Sequence, residues 1–186
     1  SLSILKWNVI AHPDFSSSVF PKSPLTSVVI GDEVVSVPNN LCKGITTINQ
    51  VSIGKKVETI GNNSFAGCTG IKTITWKPIN YTGKLPFPST ITPTQFSFGN
   101  AVETIPDNLC YGYSKITSIT LPATVKTIGD MAFFGCNLTK VTCRAALPPT
   151  MLETTFSQSA YDNATLYVYA NSEDYYRDDE FWQNFY

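Results

Sequence analysis

Apolar residues two apart recur along this chain every 22 or 23 positions, and that beat restricts the fold more than any other feature of the sequence. The pairs are Leu5/Trp7, Val28/Ile30, Val51/Ile53, Ile74/Trp76, Phe96/Phe98, Ile119/Leu121, Val141/Cys143 and Leu166/Val168, and their first members stand 23, 23, 23, 22, 23, 22 and 25 residues apart. A spacing of two places both side chains on one face of a strand. Recurrence at a fixed interval then gives one strand per repeat, stacked side by side with the same face turned inward. The expected fold is an α/β repeat solenoid, a right-handed superhelix with about eight short parallel strands near 4–7, 27–30, 50–53, 73–76, 95–98, 118–121, 140–143 and 165–168. Short helical turns are expected on the other side at 38–43, 61–66, 106–111 and 129–134, with Gly67 and Gly135 ending the longer two.

A longer period overlies this one. Residues 27–68 align with 95–136 at an offset of 68 without a gap, with 15 identities in 42 positions. Three units of about 23 residues therefore repeat as a block of about 68. One unit carries Val/Ile-Pro-x-Asn-Leu-Cys-x-Gly at 37–44 and 105–112, and the next carries Val-x-Thr-Ile-Gly-x-x-x-Phe-x-Gly-Cys at 57–68 and 125–136. The third begins at Trp7 or Trp76 and continues into Pro- and Ser-rich sequence.

The string Val-x-Thr-Ile-Gly-x-x-x-Phe-x-Gly-Cys, followed by the next Ile/Leu-x-x-Ile/Val, resembles the BspA-type leucine-rich repeat, also called the Treponema pallidum type. The closing run Leu166 to Ala170, then Tyr175-Tyr176 and Phe181-Trp182, is similar to that family's C-terminal end. The resemblance is strong at 25–76 and 94–143 and weaker in the two Trp-led units. It implies the leucine-rich-repeat superhelix, a secreted or surface-anchored bacterial protein, and adhesion to host or bacterial partners, and it brings no catalytic residues with it.

At 186 residues the chain suits a repeat array over 1–163 with a last strand and cap over 164–186. Charged residues are only 15%, against about a quarter in ordinary domains, while Ser and Thr together number 39. A net charge of −1 supplies no long-range attraction for nucleic acid. No run of 18 apolar residues exists to span a bilayer. The expected location is extracellular or on the outer surface, with a signal or anchor segment not in this chain.

The two ends differ. Aligning Leu2, Leu5 and Trp7 with Ile71, Ile74 and Trp76 starts the chain inside a repeat with no capping element. Solenoids need capped ends, so further repeats upstream or an end-to-end contact with another chain are the expectations there. A flat edge blunted by Ser3 and Lys6 is the alternative. At the other end, Asn171-Ser172-Glu173-Asp174 offers N-cap residues and first-turn acids. Tyr175, Tyr176, Phe181, Trp182 and Phe185 then supply aromatic surface to cover the last repeat.

Cys42 and Cys110 share one repeat position, Cys68 and Cys136 another, and Cys143 takes the place of a strand Trp. Placement by repeat phase reads as small buried apolar residues, reduced rather than bridged. No Cys-x-x-Cys pair or set of histidines suggests a metal, and no cofactor motif is present. His12, with Asp14 two residues on, is the one histidine, and no nucleophile motif accompanies it. Asp32/Glu33, Glu58, Glu103, Asp107 and Asp130 recur at turn positions, where acids are usually solvated. An enzyme built from a carboxylate pair would need two of them converging in one cleft.

What remains is the face made by the strands. If the apolar pairs point inward, the outward residues are Ile4/Lys6, Ser27/Val29, Gln50/Ser52, Thr73/Thr75, Gln95/Ser97, Ser118/Thr120, Lys140/Thr142 and Thr165/Tyr167. This strip carries no acid and would run roughly 34 Å along eight strands at about 4.8 Å each. The candidate ligand-binding residues on this concave strand face are Gln50, Ser52, Thr73, Thr75, Gln95, Ser97, Ser118 and Thr120. The same residues also suit a solvated sheet dressed in strand-forming Thr and soluble Ser. The leading functional reading is a non-catalytic recognition module, a protein-binding or adhesion surface. The alternative is a carbohydrate-binding or capture protein of the cell surface, and the irregular loops 8–24 and 77–93 are the second candidate for the binding site.

Overall fold

The computed structural model describes residues 3–10, 12–20 and 23–186. Leu2, used above to align the start of the chain with a repeat, lies outside the described residues, as do 11, 21 and 22 of the first loop. The chain forms two compact units, Ser1–Phe96 and Ser97–Tyr186, and each is a stack of parallel-strand solenoid coils.

In the first unit the four-residue strands β1 (Ile4–Trp7), β2 (Ser27–Ile30), β4 (Gln50–Ile53) and β6 (Thr73–Trp76) fall where the apolar beat places them. They form one sheet in the order β1-β2-β4-β6-β7, with β7 (Gln95–Phe98) crossing into the second unit's residues. The register aligns Leu5 with Val28, Val28 with Val51 and Val51 with Ile74, all pairings parallel. One apolar column therefore runs through the coils, and these four residues are buried. A second narrow sheet joins β3 (Ser36–Val37) to β5 (Thr59–Ile60).

The second unit repeats the plan. Strands β9 (Ser118–Leu121), β11 (Lys140–Cys143) and β12 (Thr165–Tyr167) pair in parallel, with Ile119, Val141 and Leu166 in one row. The short strands β8 (Thr104–Ile105) and β10 (Thr127–Ile128) make the second sheet, and Thr127 bridges onward to Thr150.

The segments 38–43, 61–66, 106–111 and 129–134 correct the expectation of helical turns: they are hydrogen-bonded turns without helix. In 38–43 and 106–111 and the glycine after each, alternate N–H groups reach the neighbouring coil instead of their own chain four residues back, whereas in 61–66 and 129–134 Ser64, Ala66, Ala132 and Phe134 bond three residues back within the turn. Cys42 N–H donates to Ser64 O (2.8 Å) and Gly44 N–H to Ala66 O (2.7 Å); Cys110 and Gly112 repeat this with Ala132 and Phe134 at 2.8 Å each. A helix needs those donors for itself, and coil stacking takes them. Each turn also holds two left-handed residues, at φ 60, 60, 58 and 51° for Asn40, Asn63, Asn108 and Met131, and at 80, 76, 73 and 78° for Gly44, Gly67, Gly112 and Gly135. Gly67 and Gly135 thus close the longer turns as expected.

Many of the hydroxyls that enrich the composition belong to the coils themselves. Thr47 Oγ1 donates to Leu25 O (2.6 Å), Thr124 Oγ1 to Val102 O (2.6 Å) and Thr139 Oγ1 to Thr117 O (3.2 Å), each spanning 22 residues, one coil. The buried Ser64 hydroxyl contacts Pro38 O and Gly61 O at 2.8 and 2.6 Å. Such bonds satisfy carbonyls that the turns leave open.

The far end of the second unit is closed by aromatic packing. α1 (Gln158–Asn163) fills the longer 25-residue interval before β12, and α2 (Glu173–Arg177) follows it. Ser172 holds the N-cap position of α2, but its side chain makes no cap bond, so the helix start rests on packing. Tyr176 and Trp182 are fully buried, 5.2 Å apart edge to face, and Phe156 lies between Trp182 and Phe133 at 6.0 and 5.3 Å. The Tyr176 hydroxyl donates to Ala145 O (2.9 Å) and Trp182 Nε1 to Pro149 O (2.8 Å), which pins the cap to the coil beneath. Tyr175 turns to solvent and takes no part.

Candidate ligand-binding strand face

Strand pleating decides what each coil shows to solvent. All sixteen outward strand positions are exposed or half-buried, while the apolar partners beside them turn inward. In the first unit the register sets Ser27, Gln50 and Thr73 in one row and Val29, Ser52 and Thr75 in a second. Gln95 stands on the adjacent strand, where its Oε1 accepts a long 3.4 Å bond from Thr73 Oγ1. Five of the eight candidate residues, Gln50, Ser52, Thr73, Thr75 and Gln95, therefore share one patch. Gln50 and Gln95 are exposed, and Ser52, Thr73 and Thr75 are half-buried.

The other three, Ser97, Ser118 and Thr120, belong to the second unit, and all are exposed. There Ser118, Lys140 and Thr165 form one row and Thr120, Thr142 and Tyr167 the other. The Lys140 ammonium sits 4.5 Å from the centre of the Tyr167 ring, a cation–π contact. The alternating pattern exposes both residues, but their pairing depends on side-chain reach across strands, which spacing alone does not report.

The charges of the molecule lie mostly elsewhere. Glu33 pairs with Lys56 (2.5 Å), Asp32 with Lys77 (3.3 Å) and Glu103 with Lys126 (2.9 Å), all on the turns between strands. The hydrogen bond and charge of Lys56 hold the Glu33 carboxyl below its ordinary value, in full solvent. The recurring turn acids act as links between coils. Asp107 Oδ1 accepts the Asp130 N–H (2.8 Å), and Asp130 Oδ1 accepts the Thr154 hydroxyl (2.5 Å). They border a shallow hollow of about 350 Å³ lined also by Thr127, Thr150 and Leu152.

His12 and Asp14 do not come together. His12 Nδ1 lies 2.6 Å from the Pro13 carbonyl oxygen and the ring packs 4.5 Å from Phe15, while Asp14 Oδ1 accepts the Asn39 N–H (2.9 Å). Among the described residues no group of three or more His, Cys, Asp or Glu side chains could hold a metal ion.

All five thiols are buried and free. Cys68 Sγ donates to Cys42 O (3.0 Å), and Cys136 Sγ to Cys110 O (3.2 Å). Burial pushes the Cys68 thiol up to about 11 and Cys136 up to about 12, and raises Cys42, Cys110 and Cys143 as well. Thiols held protonated in this way are poor nucleophiles and poor metal ligands.

The loop 77–93 is folded down rather than open. Tyr81 stands edge-on to Trp76 at 5.1 Å with its hydroxyl donating to Lys84 O (2.6 Å), and Phe87 reaches Phe65 at 5.5 Å. The described part of loop 8–24 is likewise tied down, Asn40 Nδ2 donating to Phe15 O (2.7 Å). Exposed aromatic surface appears instead at Tyr111 and Phe134, stacked 5.9 Å apart at 10° on adjacent turns. Their spacing of 23 residues was a signal available in the sequence.

The model of the BspA type leucine rich repeat region matches in six copies, over residues 14–139 and 83–169. No curated protein matches the chain. Among solved structures the chain is similar to a leucine rich cell surface protein from Faecalibacterium prausnitzii A2-165, at 20% identity and a TM-score of 0.46, over 90% of this chain and 48% of that one. A leucine-rich repeat protein from Bacteroides ovatus ATCC 8483 aligns at 16% identity and a TM-score of 0.40, over 75% and 51%. The chain thus spans about half the length of each. No helix among the described residues is long and apolar enough to cross a membrane.

Proposed function

The chain belongs to the BspA-type leucine-rich repeat family, and we propose that it is a non-catalytic recognition module of a bacterial secreted or cell-surface protein, holding a protein ligand on its strand face. One observation carries the reading: sixteen strand positions turn outward, none is buried, none is an acid, and most are hydroxyls or amides. Such groups donate and accept hydrogen bonds without charge. Of the groups catalysis would recruit, Asp14, Asp107 and Asp130 are engaged in holding coils together, the thiols are buried, and the exposed His12 ring stands beside Pro13 and Phe15 with no carboxylate partner among the described residues.

The test uses the chain immobilised against a panel of extracellular-matrix proteins, mucins and purified polysaccharides. Gln50→Glu with Gln95→Glu adds two charges at exposed positions while keeping side-chain size and an acceptor for Thr73. This pair is a cleaner probe than Thr75, which is half-buried. Retention of a protein ligand should fall tenfold or more in the double variant with the melting temperature unchanged. Retention of polysaccharide alone would give the site to a carbohydrate, and undiminished protein binding would move it off the strand face.

A further inference from the structure

We propose that the strand face of the second unit, formed by Lys140, Tyr167, Thr142, Thr120 and Ser118, is an anchor for an acidic, extended segment of the protein partner. The proposal rests on the strand-face reading above and names the chemistry of its ligand. All five residues belong to the second unit, on three paired strands of known register.

Lys140 is the strip's only cation in this unit, and it takes part in no ion pair among the described residues. The strip itself contains no Asp or Glu. The lysine is exposed, and its ammonium is held at 4.5 Å over the Tyr167 ring, which is itself 49% exposed. A lysine ordinarily moves freely on its long stem and loses that freedom when it binds. Held over a ring it is partly preorganised, with ammonium donors left for an incoming oxyanion. A carboxylate is the complement of that group, and nothing on the strip competes for it.

The remaining groups match a polypeptide. Ser118, Thr120 and Thr142 each both donate and accept, as alternating backbone N–H and C=O groups require; Thr120 and Thr142 face each other across neighbouring strands about 4.8 Å apart, and Ser118 stands two residues, about 6.7 Å, along the strand from Thr120. A sugar would call for an aromatic ring with an open face. Tyr167 is the only aromatic among the outward strand residues, and one of its faces is already taken by the ammonium.

Fluorescence anisotropy with the intact chain tests this, using a labelled octapeptide of alternating Glu and Ser, its Gln/Ser counterpart, and oligogalacturonate. The acidic octapeptide should bind about fivefold more tightly than the Gln form, with affinity falling between 25 and 300 mM salt as screening shortens from about 20 to about 6 Å. Lys140→Gln should weaken binding about fivefold, the upper range for one exposed ion pair, and Lys140→Glu further. Tyr167→Phe should bind normally, and Tyr167→Leu should fall between wild type and Lys140→Gln. Each variant must retain the wild-type melting temperature. Octapeptide binding indifferent to Lys140→Glu would overturn the proposal, and so would oligogalacturonate binding in place of the peptide. If neither probe binds while the Gln50/Gln95 variant still abolishes capture of a matrix protein, this anchor is wrong and the strand-face reading stands.

Discussion

Two glycines of the first unit are held in place by different physics, and alanine separates them. Gly44 sits at φ +80° with no other atom within 4 Å of where a methyl group would go, so Gly44→Ala meets only the left-handed backbone penalty, about 1 kcal/mol. Gly54 is buried, and a methyl there would overlap the Gly31 carbonyl oxygen and lie 2.5 Å from its carbon and 2.9 Å from Asp32 Cα. The coils would have to part by more than about 1 Å to reach ordinary contact, roughly 3.5 Å. The rungs beside it, Lys56 N–H to Asp32 O and Lys55 N–H to Asp32 Oδ1, are already 3.3 Å long and would go first. Two lost hydrogen bonds at about 1 kcal/mol each, plus overpacking of about 1–3 kcal/mol, put Gly54→Ala at about 3–5 kcal/mol. Asparagine sharpens the contrast, because it tolerates the left-handed region: Gly44→Asn should cost only a few tenths of a kcal/mol, and Gly54→Asn at least as much as Gly54→Ala. Urea unfolding followed by far-ultraviolet circular dichroism reads all four. Equal costs for the two alanine variants, or a Gly54→Asn milder than Gly44→Asn, would refute the steric account of coil spacing.

The cap and the thiols give two more predictions. Tyr176→Phe removes the donor to Ala145 O and leaves a buried carbonyl unpaired, so the second unit should lose about 1–2 kcal/mol, seen as a lower urea midpoint at unchanged slope. The buried thiols should make the fold alkali-sensitive. An unfolded cysteine releases its proton near 9.0, whereas folded Cys68 and Cys136 keep theirs to about 11 and about 12. The folded state therefore binds more protons in that window, and stability should hold up to about pH 9 and fall between 9 and 11. Cys68→Ala should flatten that slope; a stability profile level to pH 11 in the wild type would contradict the burial argument.

The strands were legible because the inward face tolerates little but apolar side chains, so Val51/Ile53 and Ile119/Leu121 mark their own register. Seven of the eight expected strands have the expected limits, and the eighth ends one residue early at Tyr167. The turns were misread as helical because local sequence does not say whether an N–H will be taken by its own chain or by the next coil. Asn40, Asn63 and Asn108 held the clue: an Asn recurring at one coil position marks a left-handed residue, which a helix excludes. On the strand face, alternation was enough to expose the strip. It did not foresee that Thr75 would be half-buried while Gln50 and Gln95 stood clear, since that depends on the size of the neighbours in the adjacent rows.

Where the hydroxyls and charges sit separates the cohesion of the coils from the strand face. Threonines whose hydroxyls donate to a backbone carbonyl of the neighbouring coil, Thr26, Thr47, Thr94, Thr124, Thr139 and Thr150 among them, stand outside the outward strand positions. The ion pairs between coils, Glu33–Lys56 and Glu103–Lys126, stand on the turns. Cohesion thus comes from the buried column, the backbone rungs and turn-side links, each fixed by the repeat. Residues such as Gln50, Ser118 and Lys140 are exposed and contribute little to that cohesion, and surface changes of this kind usually stay within about 0.5 kcal/mol. The residues of the strand face can therefore change without unsettling the stack beneath them, whereas the same freedom at Gly54 or Cys68 would cost the coil spacing or the core.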